Sequence, residues 1–287
     1  MAELILPAPH VFVSSGGGIR IGASFGAEAQ GEALGVFSPS NFDYFLGTSA
    51  GALDAALTAN GWTAQQKISL FLDTQFSTLF APAFVPFGLR KALALKWPIS
   101  LKRLAHFMDE LGLTHTERLV INAVDAQTNA HLIYCEKRPP WLSDEAQVTV
   151  VEDAFSREGL GTILTRSMAL PGLNADHARY RDGGFAENPL LSVLPNNITG
   201  VLVSLGYPGL IIKDGKPWPD SIIEQAFYAV DRKGAAFAQF LTQQRPGIKV
   251  IDPKVYDVDS SAFGLSRTAK IDMVQRGFET SRPQWLA

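Results

Sequence analysis

The sequence predicts an α/β fold with a largely parallel central sheet flanked by helices. Short apolar runs alternate with helical segments along the chain, as expected of β-α units. Two of these runs, residues 10–14 and 42–46, stop at glycines and lead into helical segments. The 287 residues are 46% hydrophobic and 18% charged, so the chain can bury a sizeable core.

The elements follow in order. Residues 10–14 read as a buried strand feeding a tight glycine loop, and 24–34 as a helix rich in small residues. A second strand, 42–46, ends at Gly47; the alanine-rich segment 50–59 then forms a helix that stops at Asn60-Gly61. Thr63 is the expected N-cap of another helix, running to about residue 76. Residues 119–124 form a third strand, 125–129 a polar turn and 131–135 a returning strand. A helix over 160–167 ends before Pro171, and 200–205 is a fourth apolar strand. Residues 220–243 are helical, 248–251 a last short strand, and 266–280 a terminal helix. No repeat, low-complexity tract or linker divides the chain, which predicts one domain over 1–287. Its motifs fall within about 10–205, and a helical part covers about 220–287.

A net charge of −3 gives no reason to expect nucleic acid as a partner. Cys135 is the single cysteine, so no internal disulfide forms. Residues 1–9 carry Glu3 and lack the basic start and apolar core of a signal peptide. The most apolar stretch, 76–101, is broken by Pro82, Pro86, Arg90, Lys91, Lys96 and Pro98, which argues against a membrane helix. The reading is a cytoplasmic protein that meets a membrane or micelle only at its surface. The same stretch interleaves Phe76, Phe80, Phe84, Phe87 and Trp97 with basic residues, which suits a lid or an interfacial contact; a pair of core helices is the alternative.

Three motifs carry chemistry. Gly47-Thr48-Ser49-Ala50-Gly51 lies between a predicted strand and a predicted helix, the setting of a nucleophile elbow. Its glycines relieve the crowding of a sharp turn, and the helix behind it points N–H groups toward developing negative charge. Ser14-Ser15-Gly16-Gly17-Gly18-Ile19-Arg20 also ends a strand, and its bare backbone N–H groups suit an oxyanion hole. It is neither a Walker A loop, lacking Gly-Lys-Ser/Thr, nor a dinucleotide fingerprint, which would need Gly where Ile21 stands. Arg20 is expected to orient this loop or to attract an anionic head group. Arg181-Asp182-Gly183-Gly184, followed by Asn188-Pro189, sets a carboxylate on a backbone that can approach another loop.

Together these motifs resemble the patatin-like phospholipase family. The family pattern is a glycine-rich loop, then GxSxG, then DGG or DGA, and the three stand here in that order. Ser167-Met168-Ala169-Leu170-Pro171 is similar to the family's "AS.A.P" segment, and Asn188-Pro189 to its sequel to the aspartate. The likeness runs from about residue 10 to 205. It departs from the pattern at Ile21, where the family usually has Gly after the basic residue, and at Ser15, where Asp or Gly is common.

The resemblance implies a three-layer patatin-like fold and a Ser-Asp dyad. Ser49 would be the nucleophile, Asp182 the general base, and the N–H groups of Gly16, Gly17 and Gly18 the oxyanion hole. Arg20, Gly47, Gly51, Gly183 and Gly184 would support the motifs. The substrate would be a phospholipid or another acyl ester. No cofactor motif and no metal-ligand spacing is present in the sequence. Three alternatives stay open. An acyltransferase would use the same serine. An α/β-hydrolase triad would draw its histidine from the chain's five, pairing Asp125 with His131 or Asp153 with His177. A non-catalytic module would bind lipid, or a partner, on the same fold.

Overall fold

The computed structural model describes residues 9–79, 100–114, 116–142, 147–169, 179–205, 211–213, 216–218, 243–260 and 262–287. The strands are β1 His10–Ser14, β2 Tyr44–Thr48, β3 Leu119–Asp125, β4 His131–Cys135, β5 Thr149–Val151, β6 Tyr180–Asp182, β7 Thr199–Val203, β8 Ile211–Lys213, β9 Lys216–Trp218 and β10 Ile248–Ile251. The described α-helices are α1 Ile21–Ala33, α2 Ala50–Ala59, α3 Ala64–Asp73, α4 Phe76–Leu79, α5 Lys102–Glu110, α6 Ala154–Glu158, α7 Leu160–Ser167 and α8 Arg267–Leu286.

The main sheet has the order β10-β7-β1-β2-β3-β4-β5, and β6 also pairs with β3. From β10 to β3 every pairing is parallel; β4 and β6 run antiparallel to β3, and β5 runs parallel to β4. The sheet is covered on both faces. In β1, Val11 and Val13 pack into one apolar cluster, while Phe12 packs into the other with residues of α1, α2 and α3. β3 is buried along its whole length, as a central strand of a doubly covered sheet must be.

Helix α8 crosses α1 at close range. A Cβ on Gly26 would lie 2.0 Å from the Val274 carbonyl oxygen, and one on Gly277 would lie 2.1 Å from that of Ala23. Trp285, near the end of α8, donates its indole N–H to the Ala27 carbonyl at 2.8 Å. Burying that ring explains why α8 runs on to Leu286, past the expected end at 280 and through Pro283.

Other differences have equally local causes. Helix α1 begins at Ile21 rather than 24, because the 3-10 turn Gly18–Arg20 feeds directly into it. Strand β2 continues through Gly47 to Thr48, since a glycine in a strand marks a close backbone approach and not an end. Thr63 caps α3 with a full capping box to Gln66, but the helix ends at Asp73, and Phe76–Leu79 is a separate turn. Strands β5 and β6, three residues each, are too short to show a period. Of the stretch 76–101, residues 80–99 lie outside the described residues, as do 220–242 of the expected long helix. Among the described residues no helix is long and apolar enough to cross a membrane. Cys135 is buried, and burial pushes its thiol up to about 12, so it is an inert core group.

A charged cluster is sealed under the first turns of the fold. The Lys67 ammonium donates to Glu28 Oε2 at 2.5 Å, Asp54 Oδ1 at 2.6 Å and Thr58 Oγ1 at 2.5 Å. Asp54 Oδ2 also accepts from the Ser14 and Ser24 hydroxyls, at 2.7 and 2.9 Å. All six side chains are buried. Burial and the Asp54 charge hold Glu28 well above the usual carboxylate range, against the pull of Lys67. Burial alone would lower Lys67, but Asp54 and Glu28 outweigh it and raise it. Burial thus favours the neutral form of Glu28, and the Lys67 ammonium is held between the two carboxyls. The cluster ties α1, α2 and α3 to the last residue of β1.

Two outcomes test it. Lys67→Met strands the Asp54 charge and should cost about 3–5 kcal/mol in urea unfolding. An acid raised on folding binds more protons folded than unfolded, so its contribution falls as pH rises above its ordinary value of 4.5. Glu28→Gln, which mimics the neutral acid, should therefore gain stability relative to wild type as pH rises from 4.5 towards 8. A constant difference between the two proteins across that range would show that Glu28 is ionised in the fold.

Candidate active site

The elbow is built where β2 meets α2. Ser49 caps α2 with φ 54° and ψ −129°, a left-handed conformation that ordinary residues avoid. The turn fits only because its flanking residues lack side chains. A Cβ on Gly47 would lie 2.4 Å from Ala52 Cα, and one on Gly51 would lie 2.3 Å from the Ser14 carbonyl oxygen. The Ser49 N–H donates to Ser167 Oγ, at the end of α7, at 2.8 Å. The Ser49 side chain is left half-buried, at the positive end of α2.

Strand β3 brings Asp182 to it. On one edge of β3, β2 pairs as far as Thr48 opposite Asn122. β6 takes over at the next residue, with Asp182 opposite Ala123. The parallel strand and the antiparallel strand thus meet head to head, and the Ser49 hydroxyl donates to Asp182 Oδ2 at 2.5 Å. Asp182 is 4% exposed. Its Oδ1 accepts from the Gly184 N–H at 2.8 Å, and its own N–H donates to the Ala169 carbonyl at 2.5 Å. Gly183 lies close under Asn122, whose side-chain amide donates to the Gly183 and Glu187 carbonyls, both at 3.1 Å.

The glycine loop closes the third side. Gly16 is held through both of its peptide groups: its N–H donates to Asn188 Oδ1 at 2.7 Å, and its carbonyl accepts from Asn188 Nδ2 at 3.2 Å. Of the three N–H groups expected to form the oxyanion hole, that of Gly16 is therefore engaged by Asn188 in this structure. Gly17 and Gly18 are the loop glycines whose N–H groups have no partner among the described residues. Gly18 has φ 56°, and the next N–H, of Ile19, donates to the Ser260 carbonyl at 2.9 Å. Ser15 uses its hydroxyl to accept from the Leu205 N–H at 2.6 Å, tying the loop to the end of β7. Arg20 is fully buried, and its Nε donates to the Gly17 carbonyl at 3.2 Å. It therefore orients the loop and is not an exposed attractor of head groups. Ile21 leaves the loop turn intact and becomes the first residue of α1.

Two cavities meet at Ser49 and Asp182. One is apolar, about 600 Å³ including its open mouth, and is walled by Ile19, Ile21, Leu53, Leu104 and Met108 among others. The other is smaller and lies against the glycine loop, with Gly16, Gly17, Gly18, Asn188 and Gly184 around it and the half-exposed Phe185 among its lining residues.

The histidine pairings fare differently. Asp125 accepts from the Gln127 and Thr128 N–H groups and from Arg179, all away from His131. His131 approaches Asn122 Nδ2 at 3.3 Å, and burial pushes it down to about 4, so it is neutral near pH 7. No hydrogen bond joins it to Asp125 or Ser49 among the described residues. His177 lies outside the described residues, and with it the pairing to Asp153. The sequence left Ser260 and Asn122 unmarked, since neither stands in a recognisable motif. Ser167 and Asn188 lay in marked segments, without a part assigned to either.

The sequence profile of the family described as patatin-like phospholipase matches residues 12–194, more than half of the chain. Comparison with curated proteins gives no match. Among solved structures, VipD from Legionella pneumophila is similar with a TM-score of 0.54 and 14% identity, over 97% of this chain and 67% of that one. The type III effector protein ExoU gives a TM-score of 0.45 at 12% identity, over 98% of this chain and 53% of that one. ExoU from Pseudomonas aeruginosa, in its complex with SpcU, gives 0.46 at 14% identity, over 97% and 52%. The chain thus spans about half the length of the ExoU chains that it matches.

Ser167 is the one side chain that satisfies the Ser49 N–H. Ser167→Ala should leave that group unpaired and cost about 1–3 kcal/mol in urea unfolding. A change within about 0.5 kcal/mol, the usual range for a surface substitution, would show that the bond carries no weight.

Proposed function

The chain belongs to the patatin-like phospholipase family, and on that premise we propose that it is a lipid acyl hydrolase of the phospholipase A or lysophospholipase type, working through Ser49 and Asp182. The observation that carries this reading is the direct contact between the Ser49 hydroxyl and Asp182 Oδ2, at 2.5 Å. In the proposed reaction Ser49 Oγ attacks the ester carbonyl while its proton passes to Asp182. The tetrahedral oxyanion takes hydrogen bonds from the Gly17 and Gly18 N–H groups, with the α2 N-terminus behind it. Asp182 then returns the proton to the departing alcohol, leaving an acyl-enzyme. Water, deprotonated by the same carboxylate, attacks that ester and restores Ser49.

A carboxylate with the ordinary aspartate pKa of about 3.9 is a weak base towards an alcohol. The pairing therefore depends on contact without an intervening water and on a fixed geometry. Both are supported by the burial of Asp182 and by its two backbone tethers. Removing one oxyanion donor typically raises the barrier by about 3–4 kcal/mol, so the loop carries as much of the reading as the base does. The apolar cavity suits a hydrocarbon chain, and the exposed Phe185 beside the smaller cavity offers an apolar contact suited to a membrane or micelle surface.

A fluorophosphonate probe should label the wild type and spare Ser49→Ala. Ester hydrolysis in Ser49→Ala and in Asp182→Asn should fall by about 10⁴-fold or more. His131→Ala should retain activity within about threefold, well short of the loss expected on removing a triad member. Turnover that persists in Ser49→Ala would sink the proposal, and a folded but inactive His131→Ala would turn it towards a triad.

A further inference from the structure

The apolar cavity has a wall with no other part in the site. Leu104 and Met108 stand one turn apart on α5, and Phe76 opens α4. Neither helix supplies a residue to the Ser49–Asp182 contact or to the glycine loop. Both Leu104 and Met108 are 2% exposed, while the opposite face of α5 carries Lys102, Arg103 and Glu110. The helix is held against α7 at short range. Gly161 donates its N–H to Asp109 Oδ1 at 3.2 Å, and a Cβ there would lie 2.5 Å from the Ala105 carbonyl oxygen. The wall is therefore braced by the helix whose last residue, Ser167, holds the elbow N–H.

The remaining sides come from Ile21, at the start of α1, and Leu53, one turn into α2 from Ser49. Among the described side chains around the cavity, Asp182 is the ionisable one, and it sits where the cavity meets Ser49. Away from Ser49, Asp182 and Ser260 its lining is apolar, and such a space favours hydrocarbon. The second cavity, which adds Gly16, Gly17, Arg20 and Asn188, shares Gly18, Ser49, Asp182 and Ser260 with the first.

We infer that the substrate is selected by its acyl part: a single unbranched chain enters the apolar cavity, and Leu104, Met108 and Ile21 set the length it accepts. The leaving alcohol stays outside that cavity, beside the Asp182 carboxylate that returns its proton, so it does not set the chain length accepted. This rests on the acyl-hydrolase reading and sharpens it. Each methylene that enters should raise kcat/KM by roughly three- to fourfold, until the chain meets the wall and the gain stops.

The test uses p-nitrophenyl esters from acetyl to palmitoyl on wild type, Ile21→Ala, Leu104→Ala, Met108→Ala and Met108→Trp. The chain length of highest kcat/KM should move up by about two methylenes in the alanine variants and down in Met108→Trp. Replacing p-nitrophenol by 4-methylumbelliferone should leave the optimum in place. Alkyl fluorophosphonates of increasing length provide the second measurement, since they read Ser49 without turnover. Labelling that follows the same shifts, without hydrolysis, would support the length inference and reject the hydrolase reading. Reaction at Ser49 with the same optimum in folded variants at all three positions would overturn the inference and leave the hydrolase reading standing. Neither turnover nor labelling in the wild type would overturn both.

Discussion

One edge of β3 is shared by two strands that arrive from opposite directions, and the site depends on that sharing. β2 uses the edge up to Asn122, and β6 uses it from Ala123 onward. Residues 133 positions apart are thereby placed end to end by backbone hydrogen bonds alone. A sheet fixes register in steps of one residue, and a single step would turn every side chain to the other face. Contact between Ser49 and Asp182 is thus a property of strand pairing. Side-chain interactions refine it and do not create it.

The elements around this junction keep it from relaxing. A left-handed residue in an otherwise regular strand-turn-helix unit persists only if its surroundings over-determine it. Here Gly47 and Gly51 leave room, Ser167 holds the N–H, and α2 is anchored through Asp54 to Lys67. Ser14 joins the same cluster from the end of β1. The glycine loop and the elbow therefore share an anchor beneath the sheet, although a cluster of buried charges is a costly way to build one. Asn188 supplies a second link above it. With one side-chain amide it gives Gly16 both hydrogen bonds that a neighbouring strand would have given.

Most of the sheet was legible in the sequence because its parallel strands are mainly short apolar runs bounded by glycine or polar residues. The elbow was legible for the same reason, with GxSxG falling between a strand and a helix. β6 was not, since Tyr180–Asp182 is too short to show a period, and Asp182 read as part of a turn. Its motif identified the residue; only the sheet explains how it reaches Ser49. The division of the glycine loop was also hidden. Gly16, Gly17 and Gly18 are identical as letters, and only the position of Asn188 separates the engaged N–H from the others. Ile21 stood out as an irregularity of the loop, yet its side chain belongs to the apolar cavity. A departure from a motif can report on the neighbouring wall and leave the motif's own geometry unchanged.

The backbone at Ser49 also decides which alcohol can stand there. At φ 54° a side chain branched at Cβ crowds its own peptide groups. Threonine offers the same hydroxyl to Asp182 but is excluded by the turn, whereas cysteine, unbranched, keeps the conformation and changes the chemistry. The identity of the side chain presented to Asp182 at this position is therefore restricted by sterics before reactivity is considered. A search for relatives with altered chemistry should look for cysteine at the elbow and not for threonine.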